Sequence, residues 1–378
     1  MAEKDTPMMR QYRRIKRELP PEVILFFRLG DFYEMFLDDA KAAAPVLDIA
    51  LTHRQGLPMC GVPYHAADQY LAKLIKAGLK VALCDQVEDP SAAKGIVRRE
   101  VTRIVTPGTV TEENVLESAA HNYLAGIACV KGVYGLAFLD LSTGHLWGER
   151  RSDPAFVRDT LIRMAPRECA APEAVADGGL LNGLTGIPLA KAEAWTFDPP
   201  NAREYLLRHF KVRSLEGFGC ESEEAIVAAA GGVLHYVKEE LRRSVDHVRS
   251  VTVQRSDAFM MLDDGTCRNL DLLPGRGRDA SPSLLRVLDV TRTAMGARLL
   301  RDWLLRPLTG LSEIVARQEA VEAFHGDRVF LSELREILGG VRDMERIITR
   351  IGQGSGSPRD LLALGQSLSM VPAVKAQI

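Results

Sequence analysis

The chain has 378 residues, enough for two or three domains that each bury a core. A hydrophobic content of 46%, a charged content of 26% and a formal net charge of -2 are those of an ordinary globular protein, so any surface for nucleic acid has to be local. Six scattered cysteines without a CxxC pair speak against a disulfide framework or a zinc site, and the lack of a long apolar run or an N-terminal h-region speaks against a membrane span or a signal peptide.

The first predicted element is a basic helix, with Arg10, Arg13, Arg14, Lys16 and Arg17 against Glu18 alone; such a run usually marks a solvated face. Ile24 to Phe27 reads as a buried strand that Gly30 ends. Asp31 then looks like an N-cap and Glu34 like the N3 acid of a capping box, which predicts a helix to about Ala44, stopped by Pro45. Phe32 would be N1 of that helix, either packing with Phe36 in the core or standing beside amides that attract anions. The turn-rich stretch Leu51 to His65 follows, then a helix from Asp68 to Ala77 closed by Gly78, then strands at Lys80 to Gln86 and Val101 to Val105. Arg54, Lys94, Arg98, Arg99 and Arg103 lie in loops or at strand ends of this small α/β unit. With an exposed aromatic ring they would make a nucleic-acid surface.

Tyr123 to Val130, Val133 to Leu141 and Gly144 to Arg150 are three strands joined by short turns, a meander. Asp140 stands where ribonuclease-H-like nucleases and sugar kinases place a metal-binding acid, but the neighbouring strands offer no second acid for two-metal chemistry, so a degenerate sheet of that type is expected. His53, His65, His121 and His145 show no ligand spacing. Helices and strands alternate to about Leu215. A long amphipathic helix from Glu223 to Arg243, a short strand pair within Val251 to Leu262, and helical periodicity from Ser283 onward complete the pattern. The glycine-rich stretches from Gly275 to Ala280 and from Gly352 to Pro358 lack the flanking features of nucleotide loops and read as a loop and a helix break. The chain stops within or just after a helix, which suggests a piece of a longer protein.

Gly30-Asp31-Phe32-Tyr33-Glu34 contains a Phe-x-Glu signature, and with it the chain resembles the bacterial mismatch-recognition family MutS. Gly61-Val62-Pro63-Tyr64-His65-Ala66 and Arg103-Ile104-Val105-Thr106-Pro107-Gly108-Thr109 resemble other first-domain motifs of that family. Thr293 to Leu308, and Asp343-Met344-Glu345-Arg346 leading to Ser357-Pro358-Arg359-Asp360-Leu361, resemble its core segments. The resemblance implies a multidomain α/β plus α fold: a mixed α/β mismatch-binding domain over 1–111, a linker over 112–120, a non-catalytic ribonuclease-H-like connector over 121–249, and the start of a helical core or lever over 250–378. It implies binding of mismatched double-stranded DNA, with Phe32 and Glu34 reading the mismatch and Arg54, Lys94 and Arg103 as candidates for backbone contacts. Catalytic residues, metals and cofactors are expected to be absent from this chain. ATP and Mg would belong to the clamp-and-ATPase region of the family, which nothing here matches, as would homodimerisation. A MutL-like partner on the connector and a bacterial cytoplasmic, nucleoid-associated location complete these expectations. The short loop Arg54-Gln55-Gly56-Leu57 is a departure from many relatives. A nuclease using Asp140 and a pure interaction module are the other classes to weigh.

Overall fold

The computed structural model describes residues 6–88, 95–182, 184, 186–274 and 282–377. They form two compact units, Met1–Leu116 with Val237–Arg243, and Glu117–Tyr236 with Ser244–Ile378.

The first unit runs α1 (Pro7–Arg17), β1 (Val23–Leu29), β2 (Phe32–Phe36), α2 (Leu37–Leu47), β3 (Thr52–Arg54), β4 (Leu57–Pro63), α3 (Ala67–Lys76), β5 (Lys80–Gln86) and β6 (Arg99–Val105). Its sheet has the order β3-β4-β2-β1-β5-β6, with β1 and β5 parallel and the other neighbours antiparallel. One face packs Ile24, Phe26, Tyr33, Met35 and Leu83 against Ala40, Leu47, Leu71 and Leu74 of α2 and α3. On the other face α1 sets Tyr12 edge-on to Phe27 at 5.5 Å and to Phe36 at 5.0 Å. Each fully buried aromatic contributes about 1.5–3 kcal/mol relative to an exposed one.

The predicted capping box does not form. Gly30 and Asp31 make a two-residue hairpin turn, and residues 32–36 are strand β2, so the helix begins only at Leu37. Burial in β2 follows the period of a strand, with Tyr33 and Met35 in the core and Phe32 and Glu34 on the opposite face, and pairing to the buried β1 outweighs a weak local cap signal. Pro45 lies inside α2, in its last turn; the helix ends two residues later, with Asp48 in the left-handed cap conformation.

The second unit opens with β7 (Tyr123–Val130), β8 (Val133–Asp140) and β9 (His145–Arg151), within a residue of the predicted meander. α4 (Pro154–Met164), β10 (Glu168–Pro172), α5 (Glu173–Ala176), β11 (Leu189–Ala192), α6 (Pro199–Phe210), α7 (Glu224–His235) and β12 (Thr252–Val253) follow. The sheet order is β11-β10-β7-β8-β9-β12, with β10 parallel to β7 and β11 parallel to β10. Three antiparallel strands extended by parallel ones beside the first is the ribonuclease-H-like arrangement. α4 covers one face, where Phe138, Trp147, Val157 and Leu161 pack together; α7 lies on the other.

Two expectations fail here. α7 is buried on every side from Ala225 to Leu234 and gives way to a π turn at Tyr236–Glu240, so residues 223–243 are not one amphipathic helix. Its many small residues suit it to a two-sided packing site. The strand pair at 251–262 reduces to β12, parallel to β9, and a single bridge from Phe259 to Leu308. The remainder is helical: α8 (Asp264–Asn269), α9 (Leu284–Leu288), α10 (Ala294–Leu305), α11 (Leu311–Gly326), α12 (Arg328–Gly339), α13 (Met344–Gly352) and α14 (Pro358–Gln377). The stretch at 352–358 is the expected break between α13 and α14; the loop at 275–280 lies outside the described residues. No helix among the described residues is long and apolar enough to cross a membrane.

Candidate nucleic-acid interface

Phe32 stands at the tip of the β1–β2 hairpin, opposite Leu29. Gly30 adopts φ +56° in the turn, a region that glycine enters freely and that two-residue hairpin loops demand. Two contacts pin this turn. The Tyr64 amide donates to the Asp31 carbonyl over 2.9 Å. Arg28 Nε donates to the Gly30 carbonyl, while its guanidinium stacks 3.5 Å from the Tyr64 ring centroid. Phe32 is left 47% exposed. The ring thus presents much of its surface to water from a fixed turn.

Glu34 shares the face of Phe32. Its partner across to β4 is Gly61, where an added Cβ would already touch Glu34 Cγ at 3.5 Å, so the glycine keeps that ground clear. Arg54 Nη1 lies 2.8 Å from Glu34 Oε2. Burial pushes the Glu34 carboxyl above the usual glutamate value, and the Arg54 charge and hydrogen bond pull it only part of the way back.

The structure therefore joins Phe32, Glu34 and Arg54 on one face. Arg103 is elsewhere: opposite Leu83 in the β5–β6 ladder, it shares the face covered by α2 and α3, 3.6 Å from Glu112 and 3.9 Å from Asp68 of α3. Lys94 lies outside the described residues. Sequence reasoning missed Arg28. The cation that ends an otherwise apolar strand just before a Gly-Asp turn was the available signal.

Asp140, the acid weighed for metal chemistry, ends β8 fully buried. Its Oδ1 accepts from the Ser142 amide and hydroxyl, and its Oδ2 from His121 Nδ1 over 2.8 Å and the Asn122 amide. Both oxygens are thus engaged by protein donors. His121 also lies 3.5 Å from Asp302 of α10 through Nε2. Burial opposes its charge, yet the hydrogen bonds to Asp140 and Asp302 win and push its pKa up to about 9. Because the folded value exceeds the ordinary 6.5, this contribution is complete below pH 6.5 and disappears as pH rises through 9. Stability of the second unit is thus expected to fall by up to about 3 kcal/mol between pH 7 and 10. Urea unfolding at several pH values checks this, and His121→Gln should flatten the slope; an equal slope in that variant sinks the assignment.

Comparison with known proteins places these geometries in context. Three family models match in chain order: MutS domain I over residues 6–114, MutS domain II over 122–249 and MutS domain III over 265–378. The DNA mismatch repair protein MutS of Desulfosudis oleivorans is 44% identical over 386 residues, covering 99% of this chain and 43% of that protein. Those of Myxococcus xanthus and Symbiobacterium thermophilum are 44% and 43% identical, covering 98% and 99% of this chain and 43% and 44% of theirs. The chain thus spans less than half the length of the curated relatives it matches.

Proposed function

The chain belongs to the MutS family, and from that premise we propose that its first unit recognises mispaired and unpaired steps in duplex DNA to initiate mismatch repair. The observation that carries this reading is the pinned hairpin tip, with Phe32 exposed beside a mostly buried Glu34 whose carboxyl burial raises above the usual value.

A mispaired or unpaired step is poorly stacked and costs less to open and kink than a correct pair, so recognition works through deformability. Phe32 wedges into the minor groove and stacks on the loosened base. Its rigid turn matters because a ring that had to be ordered on binding would lose affinity to entropy. Glu34 serves as a hydrogen-bond donor to a base ring nitrogen when protonated. The raised carboxyl of the free protein is already part of the way there, and DNA phosphates raise it further. Arg54 neutralises Glu34 in the free protein and can turn to a backbone phosphate in the complex, leaving Glu34 to the base.

The same premise gives the other parts of the proposal. The connector docks a MutL-like repair partner, the protein acts in the bacterial cytoplasm at the nucleoid, and ATP, Mg and homodimerisation belong to clamp and ATPase regions of the family outside these domains. The break at Gly352 to Pro358 is followed by no Lys-Ser or Lys-Thr and so lacks the pattern of a phosphate loop.

The test is the affinity of the chain for a G·T or single-base-bulge duplex against homoduplex, by anisotropy of labelled DNA. Phe32→Ala should cut the preference by roughly 10- to 100-fold, in line with about 1–3 kcal/mol of base stacking, while leaving binding to homoduplex almost unchanged. A preference that survives the substitution rules out the wedge.

A further inference from the structure

α1 carries a feature that the wedge does not use. Met9, Tyr12 and Ile15 are buried beneath the helix. At about 100° per residue, Arg10, Arg14 and Arg17 fall on the opposite side within an arc of about 60°, and all three are exposed. None of them makes a hydrogen bond or ion pair among the described residues. Lys16 differs, being engaged by Asp39 and by the Pro21 and Val23 carbonyls.

The position of this stripe gives it meaning. α1 packs on Phe27 and Phe36, which lie on the same sheet face as Phe32 and Glu34. Phe36 and Phe32 are the two ends of β2, about 13 Å apart at 3.3 Å per residue, well inside one duplex turn of about 34 Å. The helices on the opposite face mix their signs: α2 has Asp38 in its first turn beside Lys41, and α3 has Asp68 with Lys73 and Lys76, while the buried Asp39 of α2 is turned to Tyr12 and Lys16 of α1. Apart from Glu18 at the end of the helix, positive charge thus dominates the side from which a duplex would meet Phe32. Guanidinium groups suit phosphate oxygens through their planar donor fork.

We infer that Arg10, Arg14 and Arg17 form a phosphate-holding stripe that grips the duplex flanking the step read by Phe32. The inference rests on the DNA-binding reading above and adds a division of labour. The stripe supplies affinity that is blind to sequence and to mispairing, and the hairpin tip supplies discrimination.

The experiment replaces all three arginines by glutamine in the whole chain and titrates labelled mismatched and matched duplexes across about 50–200 mM salt. Each neutralised phosphate contributes about 0.9 to the slope of log affinity against log salt, so the slope should shrink by about 2–3. Affinity at the lowest salt should drop roughly 10- to 30-fold for both duplexes with their ratio unchanged, and Arg→Lys at the three positions should restore most of it. Phe32→Ala should show the complement, a collapsed ratio with an intact slope. Because the three side chains are exposed, the thermal midpoint should not move, which separates binding from folding. Unchanged slope and affinity in the triple glutamine variant would overturn the stripe, as would a changed ratio with an intact slope. A parent chain that binds both duplexes equally refutes mismatch reading alone, and the slope still decides the stripe. A parent chain that binds neither duplex refutes both.

Discussion

Arg346→Met is expected to lower the stability of the second unit by about 3–5 kcal/mol, the range for removing one partner from a buried charged cluster. Arg346 is 4% exposed on α13. Its Nη1 donates to the Glu117 carbonyl over 3.0 Å, Nη2 to the Ala120 carbonyl over 2.7 Å and Nε to Ser142 Oγ over 3.1 Å. Burial pushes the Asp140 carboxyl up, but His121 and Ser142, and behind them the charge of Arg346, hold it well below the usual range. Arg298, 1% exposed on α10, completes the arrangement by gripping Asp343 with two nitrogens at 2.7 and 2.8 Å and donating to the Ser118 carbonyl. Two arginines from the helical region thus fasten the segment that leads into β7. Methionine would fill the space of the arginine stem but leave two carbonyls without these donors, at about 1–3 kcal/mol each when buried. Trp147, Trp195 and Trp303 all belong to the second unit, so tryptophan fluorescence in urea reports that unit alone. A loss below about 1 kcal/mol would show that water or a neighbouring side chain takes over the carbonyls.

These arginines also show why part of the molecule was legible in the sequence and part was not. β7 and β8 were readable because each is a largely apolar run ended by a short turn signal, and β9 because it follows the second of those turns. β2 was misread because Asp31 and Glu34 match the capping-box spacing by coincidence, and what decides for a strand is the buried neighbour β1, one turn earlier. The exposure of Phe32 follows from that same error. A helix N1 residue has a choice of core or solvent, whereas position 32 of a strand whose positions 33 and 35 are buried has to face the other way. The partners Glu34 and Arg54 lie twenty residues apart on strands joined only through β4, and Arg346 reaches Ser142 across 204 residues. No local pattern encodes such pairs. Arg103 is a further case: its motif is local, but the register that sets it opposite Leu83, near Asp68 of α3 and Glu112, is not written in that motif.

Gly135→Ala should be nearly as damaging as the loss of Arg346, although it adds only one methyl group. Gly126, Ala137 and Gly148 stand side by side across β7, β8 and β9, and Gly135 lies two residues before Ala137 on the same face. Together they make a flat floor on which α7 rests. A Cβ at Gly135 would come within 1.8 Å of the Ala225 carbonyl oxygen, at Gly126 within 2.6 Å of the Ala229 carbonyl oxygen, and at Gly148 within 2.5 Å of Ile226 Cγ2. At Gly135 the obstacle is backbone, so a rotamer change cannot relieve it. Nor can α7 lift away easily, because on its far side Gly231 already sits against Ala202 of α6 and Gly232 against Phe197. The helix is held between two surfaces, and the expected cost is about 3 kcal/mol, the upper end for overpacking a core. Gly217→Ala in the same unit is the matched control, since a Cβ there meets nothing within 4 Å and should change stability by less than about 0.5 kcal/mol. Equal unfolding midpoints for the two variants would mean that α7 can shift over the sheet. In that case the glycine floor would mark a sliding contact in place of a fixed one, and the small residues of α7 would need an explanation in motion.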